Sequence, residues 1–174
     1  EEKQLTHGDI KPANLLISSE GKTKLTDLGL ARLGNHHFSE LTDPYPYHVA
    51  PEIIQNRWDD TDPSADIYSF GATLYHMVTG EPPFFGDEYQ DIVEMHLAGS
   101  LDDPLEINPE LHPVTADLIF ELCALNADHR PESWTSVIKK TSNAIKKIKT
   151  GKTRSLSSLP SRHAAKESTS PISK

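Results

Sequence analysis

The stretch His7-Gly8-Asp9-Ile10-Lys11-Pro12-Ala13-Asn14 sets a carboxylate, an ammonium two residues later and a side-chain amide five residues after the carboxylate. Working outward, Leu15-Leu16-Ile17-Ser18 and Lys22-Thr23-Lys24-Leu25-Thr26 are short strand candidates joined by Ser19-Glu20-Gly21, which reads as a hairpin. Asn14 stands at its near end and Asp27 at its far end, so the hairpin brings two oxygen-bearing side chains together. Taken singly, an Asp-Ile-Lys is an exposed ion pair, and Asp27-Leu28-Gly29 is a turn using glycine's freedom at positive φ. Order and spacing turn them into a set.

The remainder reads as helical. Pro51-Glu52-Ile53-Ile54 opens a short helix on proline, and Asp62 caps a longer one that starts at Pro63 and runs to about Gly80. Ile67, Phe70, Leu74, Met77 and Val78 recur there at helical spacing with few charges between, which predicts burial on most sides. Tyr89 to Leu97 is a surface helix with Ile92, Val93, His96 and Leu97 on one face. Leu101 to Pro113, with three prolines, reads as a loop, and Val114 to Leu125 as a helix carrying Leu118, Ile119, Leu122 and Leu125. A last helix from Glu132 to about Lys149 presents Trp134, Val137, Ile138, Ala144, Ile145 and Ile148, with Gly151 as its stop. Residues 150–174 are rich in Ser, Lys and Arg without apolar periodicity, a basic tail expected to be disordered. Ser155, Ser157, Ser158 and Ser170 are possible phosphorylation sites there.

Composition narrows the functional classes. The 174 residues allow one sizeable core plus a tail, and 36% hydrophobic content fits a folded body diluted by a polar segment. Net charge is −9, which argues against a nucleic-acid binder, although the basic end can touch acidic partners or lipid headgroups. The lone Cys123 forms no internal disulfide, and the expected setting is reducing, intracellular and cytoplasmic. No apolar run approaches the roughly twenty residues of a membrane span. Adjacent His36 and His37 lack further ligands nearby and read as an exposed loop rather than a metal pair. Trp58 and Trp134 read as packing anchors.

His7 to Asn14, followed by Asp27-Leu28-Gly29 and Ala50-Pro51-Glu52 in order, resembles the catalytic loop, metal motif and activation-segment end of the eukaryotic-type protein kinase family. Seven or more fixed positions, each arising by chance about one time in twenty, make coincidence negligible. The resemblance implies a mainly α chain of the α+β class: a kinase-like C-terminal lobe with a short β-hairpin at the catalytic and metal loops. It spans residues 1–149, with the catalytic loop at 7–14, the activation segment at 27–52 and a helical body at 61–149. It further implies that Asp9 orients a substrate hydroxyl and accepts its proton, and that Lys11 neutralises charge on the transferring phosphoryl group of ATP. Asn14 and Asp27 would hold Mg²⁺. Protein hydroxyls would be the acceptors, and Lys11 is the residue of the serine/threonine type. By the same likeness His7 is structural, Asp66 accepts hydrogen bonds from the catalytic-loop backbone, and Arg130 pairs with Glu52.

Three positions depart from the family pattern. Gly8 stands where many kinases carry an arginine that binds a phosphorylated activation loop, so activity is expected not to be gated that way. Leu28 replaces the commoner phenylalanine of the metal motif. Tyr45 falls where serine/threonine kinases have a threonine that bonds the catalytic Asp and Lys, which implies substrate docking that is unusual or impaired. The family's glycine-rich loop, strand lysine and its partner glutamate do not fit before His7, so Glu1 reads as a cut in a longer protein, and the piece as given is expected to turn over little ATP. Two functions follow: part of an active serine/threonine protein kinase, or a catalytically incompetent kinase-like module that acts as a protein-binding scaffold.

Overall fold

A computed structural model describes residues 6–27, 46–55 and 63–151. Strands β1 (Leu15–Ile17) and β2 (Thr23–Leu25) pair antiparallel with Leu15 opposite Leu25, Leu16 opposite Lys24 and Ile17 opposite Thr23. Both are shorter than the sequence runs suggest. Little apolar surface is hidden here: Leu16, Ile17 and Leu25 are all exposed.

Helices α1 (Pro51–Ile54), α2 (Pro63–Thr79), α3 (Tyr89–Ala98), α4 (Pro104–Ile107), α5 (Pro113–Leu122) and α6 (Trp134–Lys149) make up the rest. Four of them begin on proline, whose fixed φ and missing N–H suit a first helical turn. Ser133 caps α6 by accepting from the Ser136 N–H at 3.2 Å, and α3 ends at Gly99 in the left-handed conformation. Helix α4 lies within the stretch read as a loop. Asp103 accepts from the Leu105 N–H at 3.0 Å and Pro104 takes the first position, so a cap and a proline make one turn of helix where prolines alone suggested none.

Helix α2 is the axis of the body. Its Ile67 packs with Leu118 and Leu122 of α5 and with Val137 and Ala144 of α6, while Phe70 meets Trp134 edge-on at 5.8 Å. Trp134 is thus a packing residue; Trp58, His36, His37, Tyr45, the cap Asp62 and the tail beyond Gly151 lie outside the described residues. A Cβ on Gly71 would sit 2.6 Å from the Leu122 Cβ and 2.8 Å from the Cys123 Sγ, so glycine is what lets α2 and α5 approach this closely. The buried set of α2 differs from the apolar period. Tyr68, Ala72, Thr73 and Tyr75 are buried, whereas Met77 is exposed. Leu125, and Ile138, Ile145 and Ile148 of α6, are exposed as well. No helix among the described residues is long and apolar enough to cross a membrane.

Candidate active site

The first turns of α2 hold the loop from beneath. Buried Asp66 accepts from the His7 N–H through Oδ2 and from the Gly8 N–H through Oδ1 at 2.8 Å, so one carboxylate satisfies two backbone donors. Two turns on, the Thr73 hydroxyl reaches the Ile10 carbonyl at 3.2 Å. Gly8 has φ 78, the left-handed region where a side chain is disfavoured. Glycine at this position therefore suits the turn that presents both N–H groups to Asp66.

His7 is fixed in one tautomer by its neighbours. Its Nδ1 accepts from the Asp9 N–H at 3.3 Å, and its Nε2 lies 3.0 Å from the Thr26 carbonyl, which can only accept. The proton is on Nε2, and the ring bridges the loop to the end of β2. That is a structural role.

Asp9, Lys11 and Asn14 come together. The Asp9 Oδ2 accepts from the Asn14 Nδ2 at 2.9 Å and lies 3.2 Å from the Lys11 Nζ, while the Asn14 Nδ2 also donates to the Asp9 carbonyl at 2.8 Å. The Asp9 side chain is 29% exposed and that of Lys11 12%. Asp9 is therefore a carboxylate aimed outward and clamped on one oxygen, close enough to water for a hydroxyl to approach. The short turn Pro12–Asn14 makes this possible by folding Asn14 back on Asp9 just before β1 begins.

Asp27 is placed by the hairpin. The Thr26 N–H donates to the Asn14 carbonyl at 2.9 Å, so Asp27 follows directly on the residue paired with Asn14. It is exposed and adopts φ 57, uncommon for a residue with a side chain and a conformation that concentrates at functional sites. Among the described residues no hydrogen bond joins Asp27 to Asn14 or Asp9, and no group of three His, Cys, Asp or Glu could hold a metal by itself. With Nδ2 of Asn14 turned to Asp9, its Oδ1 is the atom left for a cation. One carboxylate and one amide oxygen fit Mg²⁺, which binds through few protein ligands and completes its shell with phosphates and water.

Two histidines that the sequence did not single out lie close by. His48, just before Ala50-Pro51-Glu52, stacks on His76 of α2 with ring centres 5.3 Å apart and Nε2 3.1 Å from the His76 Nδ1. Burial, then His76 and then Lys11 push His48 down to about 4, against a weaker opposing pull from Asp9. It is neutral at pH 7. Nothing local in the sequence signals this pair, since 28 residues separate its members.

Arg130 ties the far end of the segment to the body. Its guanidinium meets Glu52 in a two-pronged pair at 2.6 and 2.9 Å, reaches the carbonyls of Ala124, Ser64 and Leu125, and lies 4.9 Å over the Tyr68 ring. All five donors of a buried cation are used, which is what makes its burial tolerable.

Comparison with known proteins accords with this geometry. Residues 2–143 match the family described as protein kinase domain. The chain is 34% identical to the DNA damage-responsive serine/threonine-protein kinase RqkA of Deinococcus radiodurans over 76% of this chain and 20% of that protein. It is 37% identical to the serine/threonine-protein kinase ATG1a of Arabidopsis thaliana over 75% and 21%. To PknB of Mycobacterium tuberculosis it is 32% identical, over 72% and 21%. The chain thus spans about one fifth of the length of the curated relatives it matches. A crystal structure of Rad53 in complex with AMP-PNP aligns with TM-score 0.60 and 26% identity, over 76% of this chain and 33% of that one.

Proposed function

The chain belongs to the protein kinase family, and we propose that it is the C-terminal lobe, residues 1–149, of a serine/threonine protein kinase that transfers the ATP γ-phosphoryl group to protein hydroxyls with Mg²⁺. The observation that carries this is the Asp9 carboxylate, held at Oδ2 by the Asn14 amide at 2.9 Å and the Lys11 ammonium at 3.2 Å. Asp9 orients the substrate hydroxyl and accepts its proton. Lys11, already beside that carboxylate, lends positive charge to the phosphoryl oxygens. Asn14 has two duties, aiming Asp9 through Nδ2 and, with Asp27, offering oxygen to the metal. When bound, MgATP supplies the phosphoryl group. Glycine at position 8 offers no cation to a phosphorylated segment, so the rate is expected to be unchanged by phosphatase treatment. The proposed setting is intracellular, supported by a single cysteine whose thiol is pushed up to about 12 by burial and so stays protonated.

The test is Mg²⁺-dependent phosphate transfer to a generic basic protein by the natural-length protein that contains this chain. Asp9→Asn is expected to lower the rate by about 10²–10⁴-fold with its melting temperature kept. Transfer equal in the parent and the Asp9→Asn variant would leave a kinase-like module that binds partners without catalysis.

A further inference from the structure

Helix α6 has two apolar edges, and the body covers only one. Val137 and Ala144 are buried against α2 and α5, whereas Ile138, Ile145 and Ile148 remain 65%, 46% and 44% exposed. Steps of seven and three residues align these three along the helix. A single exposed isoleucine is ordinary; a line of three is a patch.

The charges around that line are of one sign. Lys140 pairs with Glu121 at 2.7 Å, but Lys139, Lys146, Lys147 and Lys149 pair with no acid among the described residues. Lys149 lies one turn beyond Ile145. No acid occurs from Trp134 to Lys166, and residues 134–174 carry ten basic and one acidic residue, so their net +9 leaves the preceding residues at −18. Helix α6 by itself carries five lysines and no acid, whereas residues 1–133 are net −18, so an anionic partner is drawn to α6 rather than to the rest.

We propose that α6 docks on an anionic lipid bilayer, with Ile138, Ile145 and Ile148 entering the boundary between headgroups and acyl chains and the lysines lying among the headgroups. The chemistry favours lipid over an acidic protein. Protein interfaces are depleted in lysine and centre on Trp, Tyr and Arg; the one such residue of α6, Trp134, one turn before Ile138, is engaged by Phe70 in the body. Aliphatic residues beside lysines, whose long stems carry the charge outward, suit a headgroup layer. The inference stands independently of the phosphoryl-transfer reading.

Co-sedimentation of the full chain with phosphatidylcholine vesicles, with and without phosphatidylserine, tests it. Binding is expected only with phosphatidylserine and should weaken as salt rises. Ile145→Asp with Ile148→Asp, and separately Lys146→Glu with Lys147→Glu, should each lower the partition coefficient by about tenfold or more. All four positions are exposed, so circular dichroism should report an unchanged fold. The proposal is overturned by absent binding, by equal binding to both vesicle types, or by binding that the isoleucine variants leave intact, which would mean charge alone. Concentration-dependent self-association abolished by the isoleucine variants would also overturn it, by assigning the edge to a second copy.

Discussion

The hairpin that carries Asn14 and Asp27 and the helical body behind it are stabilised by different means. In the body, Ile67, Ile119 and Leu122 have no exposed surface, and helices meet closely enough at Gly71 to exclude a methyl group. In the hairpin, Leu16 and Ile17 are 56% and 64% exposed, and three residues pair on each strand. An isolated hairpin of that size is marginal in water. The loop beside it is nevertheless well defined, because its polar groups are answered from α2 by Asp66 and Thr73 and from its own end by Asn14. The groups proposed to react are thus positioned by hydrogen bonds anchored in the body and only weakly by apolar packing of the hairpin.

If that contrast holds, damage to the body's polar anchors should exceed damage to the hairpin surface. The largest effect is expected for Arg130→Ala, which strands the Glu52 carboxylate and three carbonyls. A loss of about 3–5 kcal/mol in denaturant unfolding would mark it, and a loss near zero would refute the anchoring of the segment. Asp66→Ala leaves the His7 and Gly8 N–H groups without their acceptor and is expected to cost about 3 kcal/mol. Transfer by the natural-length protein should fall with it at temperatures where the fold persists.

Acid should act through His48. Its folded value near 4 lies below the ordinary 6.5, so the stability this neutral ring contributes is complete above about pH 6.5 and is lost as pH falls toward 4. His96, pushed down to about 3 by burial and by His48, adds to the same acid side. The His48 share is on the order of 2 kcal/mol, and His48→Gln should make unfolding free energy fall less steeply with acid across that window, leaving the His96 part. The smallest effect is expected for Ile17→Ser. Exposed on the hairpin, it should change stability by no more than about 0.5 kcal/mol, and a cost of several times that would show the hairpin to be packed after all.

The sequence disclosed what is local. Two short runs around Ser19-Glu20-Gly21 gave β1 and β2, a proline start gave α1, helical spacing gave the other helices apart from α4, and the residues from His7 to Asn14 carried most of the site in one run. Apart from the Asp66 and Arg130 pairings, which the family resemblance implied, the features that depend on chain returning to chain were hidden. His48 finds His76, and Thr73 finds Ile10, across dozens of residues with no periodic trace. Apolar period also misjudged which side of α6 is covered, since Ile138 and Ile145 satisfy it as well as Val137 and Ala144 do. Only the placement of α2 and α5 decides between the two edges.

The most direct test of support from beneath is amide hydrogen exchange at His7 and Gly8, read by NMR against Ile17 and Lys24 in the hairpin. Protection at His7 and Gly8 close to that of α2, lost on Asp66→Ala while α2 keeps its own, is the expected result. Exchange at His7 and Gly8 as fast as in the hairpin, or unchanged by Asp66→Ala, would contradict it.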